Sequence, residues 1–367
     1  MTPINPNTQC FSRRRLLKFG GALLTVVPSI RLHMASAQTP APTEPIQASV
    51  TVQPTQRPFG RAIQDGLIIR NAPSTKADKV RTLRANDVIP TQGQVNGNGP
   101  TTYNPIWYQT LDGFIHSSYV QPCDNTLNKP LSVVGSEGVW GEVTVPITEL
   151  RAKADETSGL RARLYFGTVF RIRGVPTGDD GKPWYVIADG NGGDIIGYIR
   201  AEHMRALVEA DFAPISPDVP LERKRIDVDL KTQTTTAFED GKPVFSVRVA
   251  TGGQFRTADG IRNFGTNTGD HRIFRKIPGT RMTGGTPGFD YYNLPGISWV
   301  SYFTSSGIAF HGTYWHNDFG KPRSHGCVNM LPEDARWVFR WTQPVYQHTE
   351  QKQLIVKREA GSMVTVS

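Results

Sequence analysis

The sequence contains, at residues 311–330, the stretch HGTYWHNDFGKPRSHGCVNM, which carries most of the information about the chemistry of this chain. A cysteine is a strong nucleophile only as the thiolate, and a histidine brought beside it by the fold can accept the thiol proton at neutral pH. His311 and Cys327 are therefore the candidate base and nucleophile. Gly312 and Gly326 adjoin them and allow close approach of the backbone to a substrate, or a positive φ. The amides around Gly326 and Cys327 are candidate donors to a developing oxyanion.

This pattern resembles a known family signature. H-G-T, a spacer, and S-H-G-C followed by a hydrophobic residue and Asn or Arg is similar to the signature of the L,D-transpeptidases, or YkuD domain family, bacterial enzymes that cross-link peptidoglycan. The resemblance implies a β-rich catalytic domain at residues 222–358. A short helix is expected after the cysteine, because Pro332 suits a first helical turn and the acids Glu333 and Asp334 suit the helix dipole.

The resemblance also implies catalytic roles. Cys327 corresponds to the acylated nucleophile, and His311 to the general base that later acts as general acid. The backbone carbonyl of Gly312 is expected to orient the His311 imidazole. His325 is expected to fix the turn and to contribute a backbone amide to the oxyanion hole, with direct proton transfer by His325 left open as an alternative.

A second set of residues is expected to bind substrate. Asn329 is expected to contact substrate or to brace the loop, while Trp315 and Tyr314 either line the groove or pack beneath it. Ser324 and Gly326 complete the set. The histidines and the cysteine lack the short paired spacings of structural zinc, and no H-E-x-x-H motif occurs, so neither a metal nor a cofactor is predicted.

The implied reaction begins with attack of Cys327 on the third residue of a tetrapeptide stem, with release of D-alanine. An amine from a neighbouring stem then takes the acyl group and gives a 3→3 cross-link, a reaction of cell wall biogenesis and cell shape; water instead of the amine makes an L,D-carboxypeptidase. Two other classes stay open. A cysteine-dependent wall hydrolase of the NlpC/P60 type has its cysteine before its histidine, the reverse of the order here. A non-catalytic wall-binding protein would not need His311 and Cys327.

The N-terminus has the three parts of an export signal. Residues 12–18 (SRRRLLK) fit the twin-arginine pattern, residues 19–30 are mostly apolar, and residues 35–37 (ASA) suit signal peptidase. We therefore predict a twin-arginine signal at residues 1–37, the twin-arginine translocase as a partner, and a location in the periplasm or the extracellular cell wall. This segment holds five basic and no acidic residues, so the net charge of +9 falls by five to +4. Such a mild charge does not predict a nucleic-acid partner.

An internal repeat follows a linker that is rich in Pro and Thr at residues 38–58. Two units, at residues 59–123 and 133–210, share a pattern of short strands at an offset of about 80 residues. They resemble bacterial SH3-like barrels, expected either to bind peptidoglycan or to act as spacers. The pairs at 107–108 and 184–185 (WY) are expected in the barrel cores, with a ligand platform as the alternative.

Together these patterns predict a mainly β protein with two small SH3-like barrels and a β-rich catalytic domain, acting as a monomer on peptidoglycan stem peptides. Residues 282–295 resemble an insertion that forms a lid over the substrate groove in relatives. Of the three cysteines, Cys10 lies in the signal, and Cys123 and Cys327 lie in different predicted domains. We therefore predict no disulfide between them.

Overall fold

The computed structural model describes residues 57–190, 194–349 and 353–367, so the predicted signal and residues 38–56 of the predicted linker lie outside it. Within these residues the chain forms 27 strands and two α-helices, which confirms the mainly β prediction. In this part of the chain no helix is both long and apolar enough to cross a membrane.

The first module contains eight antiparallel strands in two sheets. One sheet has the order β4-β1-β8 and the other β3-β2-β7-β6-β5. The strands are β1 (Phe59–Ala62), β2 (Leu67–Arg70), β3 (Lys79–Leu83), β4 (Val88–Pro90), β5 (Gly93–Asn96), β6 (Ile106–Thr110), β7 (Gly113–His116) and β8 (Val120–Cys123).

The second module is one antiparallel sheet of seven strands. Its order is β11-β10-β14-β13-β12-β9-β15. The strands are β9 (Val139–Val143), β10 (Ile147–Arg151), β11 (Leu160–Tyr165), β12 (Val169–Gly174), β13 (Trp184–Ala188), β14 (Ile195–Arg200) and β15 (Met204–Ala206).

The two modules share a pairing scheme. β1 pairs with β8 as β9 pairs with β15, β2 with β3 as β10 with β11, and β6 with β7 as β13 with β14. Trp107 and Trp184 are 2% and 1% exposed, and the neighbouring Tyr108 and Tyr185 are also buried. These four rings are therefore core residues and do not form an open ligand platform.

The third module has two five-stranded sheets, β18-β17-β16-β27-β21 and β25-β24-β23-β22-β26, and the hairpin β19-β20. A short helix α1 (Glu209–Phe212) precedes it, and a longer helix α2 (Pro332–Trp341) follows β25. The strands are β16 (Lys224–Asp229), β17 (Thr234–Glu239), β18 (Lys242–Arg248), β19 (Gln254–Thr257), β20 (Gly260–Asn263), β21 (Gly269–Arg272), β22 (Arg275–Gly284), β23 (Tyr292–Tyr302), β24 (Ala309–Gly312), β25 (Val328–Met330), β26 (Leu354–Ile355) and β27 (Met363–Val366).

Helix α2 begins at Pro332, as predicted, and supports the strand pair β24-β25. Its side chains Ala335, Val338 and Phe339 are buried. The Nζ atom of the fully buried Lys276 donates to the carbonyl of Phe339 at 2.7 Å, near the C-terminal end of the helix. An N–H donor there satisfies a helix-end carbonyl that would otherwise be buried without a donor.

The second and third modules share one hydrophobic core. Trp140 and Val169 from the second module cluster with Ile277, Trp299 and the buried face of α2. At Gly279 a Cβ atom would lie 2.2 Å from the Val169 carbonyl oxygen, so only glycine permits this backbone approach. The second module is therefore packed directly on β22.

Candidate active site

The two candidate catalytic residues lie on neighbouring parallel segments. β24 pairs with β25 in parallel, with His311 opposite Asn329, and Cys327 directly precedes β25. Residues two apart in extended chain share a face of the sheet. The parallel pairing therefore places Cys327 two residues before Asn329, the residue opposite His311.

His311 is buried as a neutral base. Its side chain is 3% exposed, and its Nδ1 lies 3.0 Å from the Gly312 carbonyl oxygen. A carbonyl only accepts hydrogen bonds, so Nδ1 carries the ring proton and Nε2 keeps its lone pair. Burial lowers the pKa of His311 to about 4, although the Gly312 hydrogen bond acts in the opposite direction. At neutral pH the imidazole is ready to accept a proton at Nε2.

Cys327 rests as a thiol. Burial raises its pKa to about 11, and a hydrogen bond from the Ala309 backbone only partly offsets this. Its Sγ lies 3.7 Å from the Gly307 carbonyl oxygen. A thiol with so high a pKa must lose its proton to a base as it attacks, and the neutral His311 imidazole on the neighbouring strand is the candidate base for that step.

The turn before Cys327 is held by its own side chains. Ser324 is buried; its Oγ accepts the Gly326 N–H at 3.1 Å and donates to the Cys327 carbonyl at 2.5 Å. Gly326 has φ of 118°, a conformation that favours glycine, and its carbonyl accepts from Thr266 Oγ1 at 2.7 Å. Ser324 therefore braces the turn, and the Gly326 amide that we expected to face an oxyanion is bonded to Ser324.

His325 projects toward the predicted lid. Its Nε2 lies 3.1 Å from Asp290 Oδ2, in the tip between β22 and β23. Its ring stacks on Phe255 at 4.0 Å and adjoins the rings of Phe264 and Tyr292. Burial lowers the pKa of His325, so the ring is mainly neutral at pH 7. His325 thus links the tip at 285–291 to the cysteine turn, a contact that sequence reasoning missed.

The two aromatic candidates differ in position. Tyr314 is 7% exposed and packs against Tyr165 of the second module, whose ring also lies 3.9 Å below the Arg61 guanidinium. Trp315 is partly buried, with its ring centroid 5.9 Å from that of His311. Trp315 is therefore the one that adjoins His311.

Asn329 is 1% exposed and braces the site from beneath. Its Nδ2 lies 3.0 Å from Nε2 of His316, which is itself 4% exposed. From sequence, His316 is expected to be a surface residue, and the structure shows that this prediction is wrong. The run of polar residues after two aromatic residues carries no signal that another module covers it.

The second cysteine of the described residues, Cys123, is a buried thiol. Cys123 is 0% exposed, and burial raises the pKa of its thiol to about 12. Both Cys123 and Cys327 are free thiols. Among the residues that the structure describes, no group of three or more His, Cys, Asp or Glu side chains is arranged to hold a metal ion.

The buried histidines predict a pH-dependent stability. Burial lowers the pKa of His316 to about 3. Below about pH 6.5 the unfolded chain takes up a proton on this ring that the folded chain does not, so folding loses free energy as pH falls. Relative to His316→Gln, we expect the wild type to lose at most about 1.4 kcal/mol of unfolding free energy per pH unit between about pH 6 and 4. Urea unfolding at several pH values measures this.

Asp334 supplies a control of opposite sign. Burial raises its pKa to about 7, so its folded form holds a proton that the unfolded form releases. Relative to Asp334→Asn, the wild type should gain stability as pH falls from 7 toward 4. Parallel pH dependences in the wild type and His316→Gln would contradict the neutral buried state of His316.

A family model matches the part of the chain that contains this site. Residues 223–364 match the model of the L,D-transpeptidase catalytic domain, YkuD, and this range includes His311 and Cys327. The chain therefore contains a YkuD-type β catalytic domain, and both preceding modules lie outside the match. No curated protein matches the chain.

Solved L,D-transpeptidases are similar to part of the chain. An L,D-transpeptidase from Mycobacterium smegmatis is 19% identical over 40% of this chain and 58% of its own, with a TM-score of 0.29. One from Stackebrandtia nassauensis is 25% identical over 39% and 55%, with a TM-score of 0.25. The catalytic domain of the E. faecium L,D-transpeptidase is 21% identical over 39% and 96%, with a TM-score of 0.29. This chain spans little more than half of the first two, and these TM-scores support no further conclusion.

Proposed function

We propose that this chain is an exported peptidoglycan L,D-transpeptidase that forms 3→3 cross-links through a thioester on Cys327. The observation that carries the proposal is the neutral His311, with its Nδ1 bonded to the Gly312 carbonyl and its Nε2 left as acceptor, on the strand beside the Cys327 segment. The match of residues 223–364 to the L,D-transpeptidase family model supports the same activity.

Acylation is the first half of the proposed reaction. As Cys327 Sγ bonds to the carbonyl carbon of the third stem residue, its proton passes to His311 Nε2 and an oxyanion forms. When the oxyanion collapses, the bond to the D-alanine nitrogen breaks. His311 gives its proton to that leaving nitrogen, which leaves a thioester and a neutral imidazole.

Deacylation reverses these proton transfers. The side-chain amine of a neighbouring stem attacks the thioester carbonyl and gives a proton to His311. The C–S bond then breaks, and the sulfur takes a proton back from the imidazolium. Thioesters react well with amines, so cross-linking follows where the groove admits an amine and restricts water. Water in place of the amine gives the L,D-carboxypeptidase alternative.

Defined muropeptides test this function. Incubation of the protein with a purified tetrapeptide muropeptide should give a dimer that has lost one D-alanine, as detected by mass analysis. Formation of a tripeptide monomer alone would show that the protein is an L,D-carboxypeptidase and not a transpeptidase. If no product forms and a carbapenem gives no adduct at Cys327, the proposal that this protein is an L,D-transpeptidase would be refuted.

Export is proposed from the sequence of residues 12–18, which lie outside the described residues. A twin-arginine receptor reads guanidinium geometry and not charge alone, so replacing Arg13, Arg14 and Arg15 together by lysine should block transport. Fractionation of cells that express the variant measures this. Unchanged export would refute the twin-arginine route.

We also propose that residues 59–123 and 133–210 are SH3-like modules, on the support of their shared strand pairing and buried tryptophans. The substrate-binding assignment for Trp315 rests on its place beside His311, and Asn329, which is buried against His316, is assigned to bracing the loop. The protein is proposed to act as a monomer.

A further inference from the structure

The first module contacts the segment that joins the two catalytic residues. We call residues 313–323 the connecting loop, since it links His311 to the turn that carries Cys327. Arg61 of β1 is 2% exposed and donates to the Tyr314 carbonyl in this loop at 2.6 Å. Its other bonds go to the side-chain oxygens of Gln121 and Asn86. All three acceptors are neutral, which makes burial of this cation costly, and the Tyr165 ring 3.9 Å from the guanidinium offsets part of that cost.

Asn317 makes a second buried contact. Its Nδ2 donates to Tyr108 Oη at 3.0 Å and to the Val120 carbonyl at 3.2 Å, both in the first module. Its backbone N–H donates to the Ser118 carbonyl at 3.0 Å. The middle of the connecting loop is thus bonded to the first module through both backbone and side chain.

Asp318 joins the first module to the cysteine turn. Its carboxylate is 1% exposed and accepts from Ser118 Oγ at 2.8 Å and Tyr103 Oη at 3.0 Å, both in the first module. It also pairs with Arg323, the residue before the S-H-G-C turn, and with Lys321 at 3.2 Å. A buried carboxylate with this many partners fixes the loop at one point, because losing any partner leaves charge unsatisfied.

The contacts continue to the catalytic strands. The Asp318 N–H lies 3.3 Å from His316 Nδ1, and His316 Nε2 meets the Asn329 side chain at 3.0 Å. Asn329 is opposite His311 in the β24-β25 pair. A continuous set of buried polar contacts therefore runs from Ser118 in the first module to the strand register of the catalytic pair.

We propose that the first module positions the active site, and that Arg61, Asn317 and Asp318 are positioning residues that set His311 relative to Cys327 through the connecting loop. The module then has a role in the chemistry beyond anchoring or spacing. This inference rests on the proposed function only for the reaction that His311 and Cys327 carry out. The contacts that support it concern the positions of these two residues. Misplacement of reacting groups by about 1 Å costs on the order of 100-fold in rate.

The test uses point variants of the full chain. We expect Arg61→Ala to slow carbapenem acylation of Cys327 by about 10- to 100-fold while the protein stays folded. Arg61→Lys, which keeps one donor for the Tyr314 carbonyl, should recover part of the rate. Arg81→Ala is the matched control, because Arg81 lies in the same module in an exposed pair with Asp112; its rate should stay within about twofold of wild type.

A second readout separates positioning from loss of structure. In Arg61→Ala, the rate of Cys327 alkylation by iodoacetamide should rise steeply with pH as the free thiol ionises. The reason is that a misplaced His311 no longer accepts the thiol proton. Near-UV circular dichroism confirms folding. If Arg61→Ala does not fold, Ser118→Ala removes one hydrogen bond to Asp318 and should slow acylation by about fivefold. Wild-type rates in the folded Arg61→Ala variant, or in Ser118→Ala where Arg61→Ala is unfolded, would overturn the inference.

The alkylation assay needs no substrate, which separates this inference from the proposed function. If the protein turns over no muropeptide but alkylation still depends on Arg61, the proposed activity fails and the positioning role stands. If muropeptides are cross-linked normally by the folded Arg61→Ala variant, the positioning role fails alone.

Discussion

We expect Cys327→Ala to abolish acyl-enzyme formation and cross-linking while the fold survives. Cys327 is the thiol that adjoins the His311 strand, and the proposed reaction has no bond to form without it. In enzymes that act through a covalent nucleophile, removal of that nucleophile lowers turnover by on the order of a millionfold. The measurements are the mass of the protein after incubation with a carbapenem and the yield of muropeptide dimer.

Cys123→Ala is the matched control. Cys123 is 0% exposed in β8, and burial raises the pKa of its thiol to about 12, so it is inert at neutral pH. We expect acylation within about twofold of wild type and a stability loss of about 1 kcal/mol from the small cavity. An adduct that persists in Cys327→Ala, or disappears in Cys123→Ala, would contradict the assignment of the nucleophile.

The sequence predicted the features that depend on residues near one another in the chain. The helix at Pro332 follows from a local pattern, because proline at a first turn and acids at a helix start act within a few residues. The repeat at residues 59–123 and 133–210 is visible in sequence as a shared pattern of short strands, but the pairings that join the ends of each module, β1 with β8 and β9 with β15, link distant residues.

Contacts between distant segments were not predicted. Arg61 is 253 positions from the Tyr314 carbonyl it binds, and Asp290 is 35 positions from His325. No periodicity links such residues, because the contact exists only once whole modules have packed. His316 shows the consequence: its polar neighbours suggest an exposed loop, but the first module covers that loop and leaves the ring 4% exposed.

The Gly326 amide shows a different limit. The motif suggested an amide turned toward an oxyanion, since glycine beside a catalytic cysteine permits that geometry. In the structure, Ser324 Oγ takes this N–H. A serine two residues before an amide competes for it locally, and sequence alone does not rank that bond against a bond to substrate.

We expect His311→Gln to reduce acylation of Cys327 at pH 7 by about 100- to 10,000-fold, the usual contribution of a general base. The reason lies in the resting state of the pair. With burial raising the pKa of Cys327 to about 11, very little thiolate exists at pH 7, and attack depends on His311 accepting the proton as the C–S bond forms.

The pH profile makes this prediction specific. In the wild type, the acylation rate should stay nearly level above about pH 5 and fall as His311 titrates near its pKa of about 4. In His311→Gln, the rate should instead rise about tenfold per pH unit toward about pH 11, because only ionised thiol reacts. His271→Gln is the control: His271 lies in β21 of the same module, bonded to the Asn267 carbonyl, and its replacement should leave the profile unchanged. A level profile at wild-type rate in His311→Gln would show that another group takes the Cys327 proton.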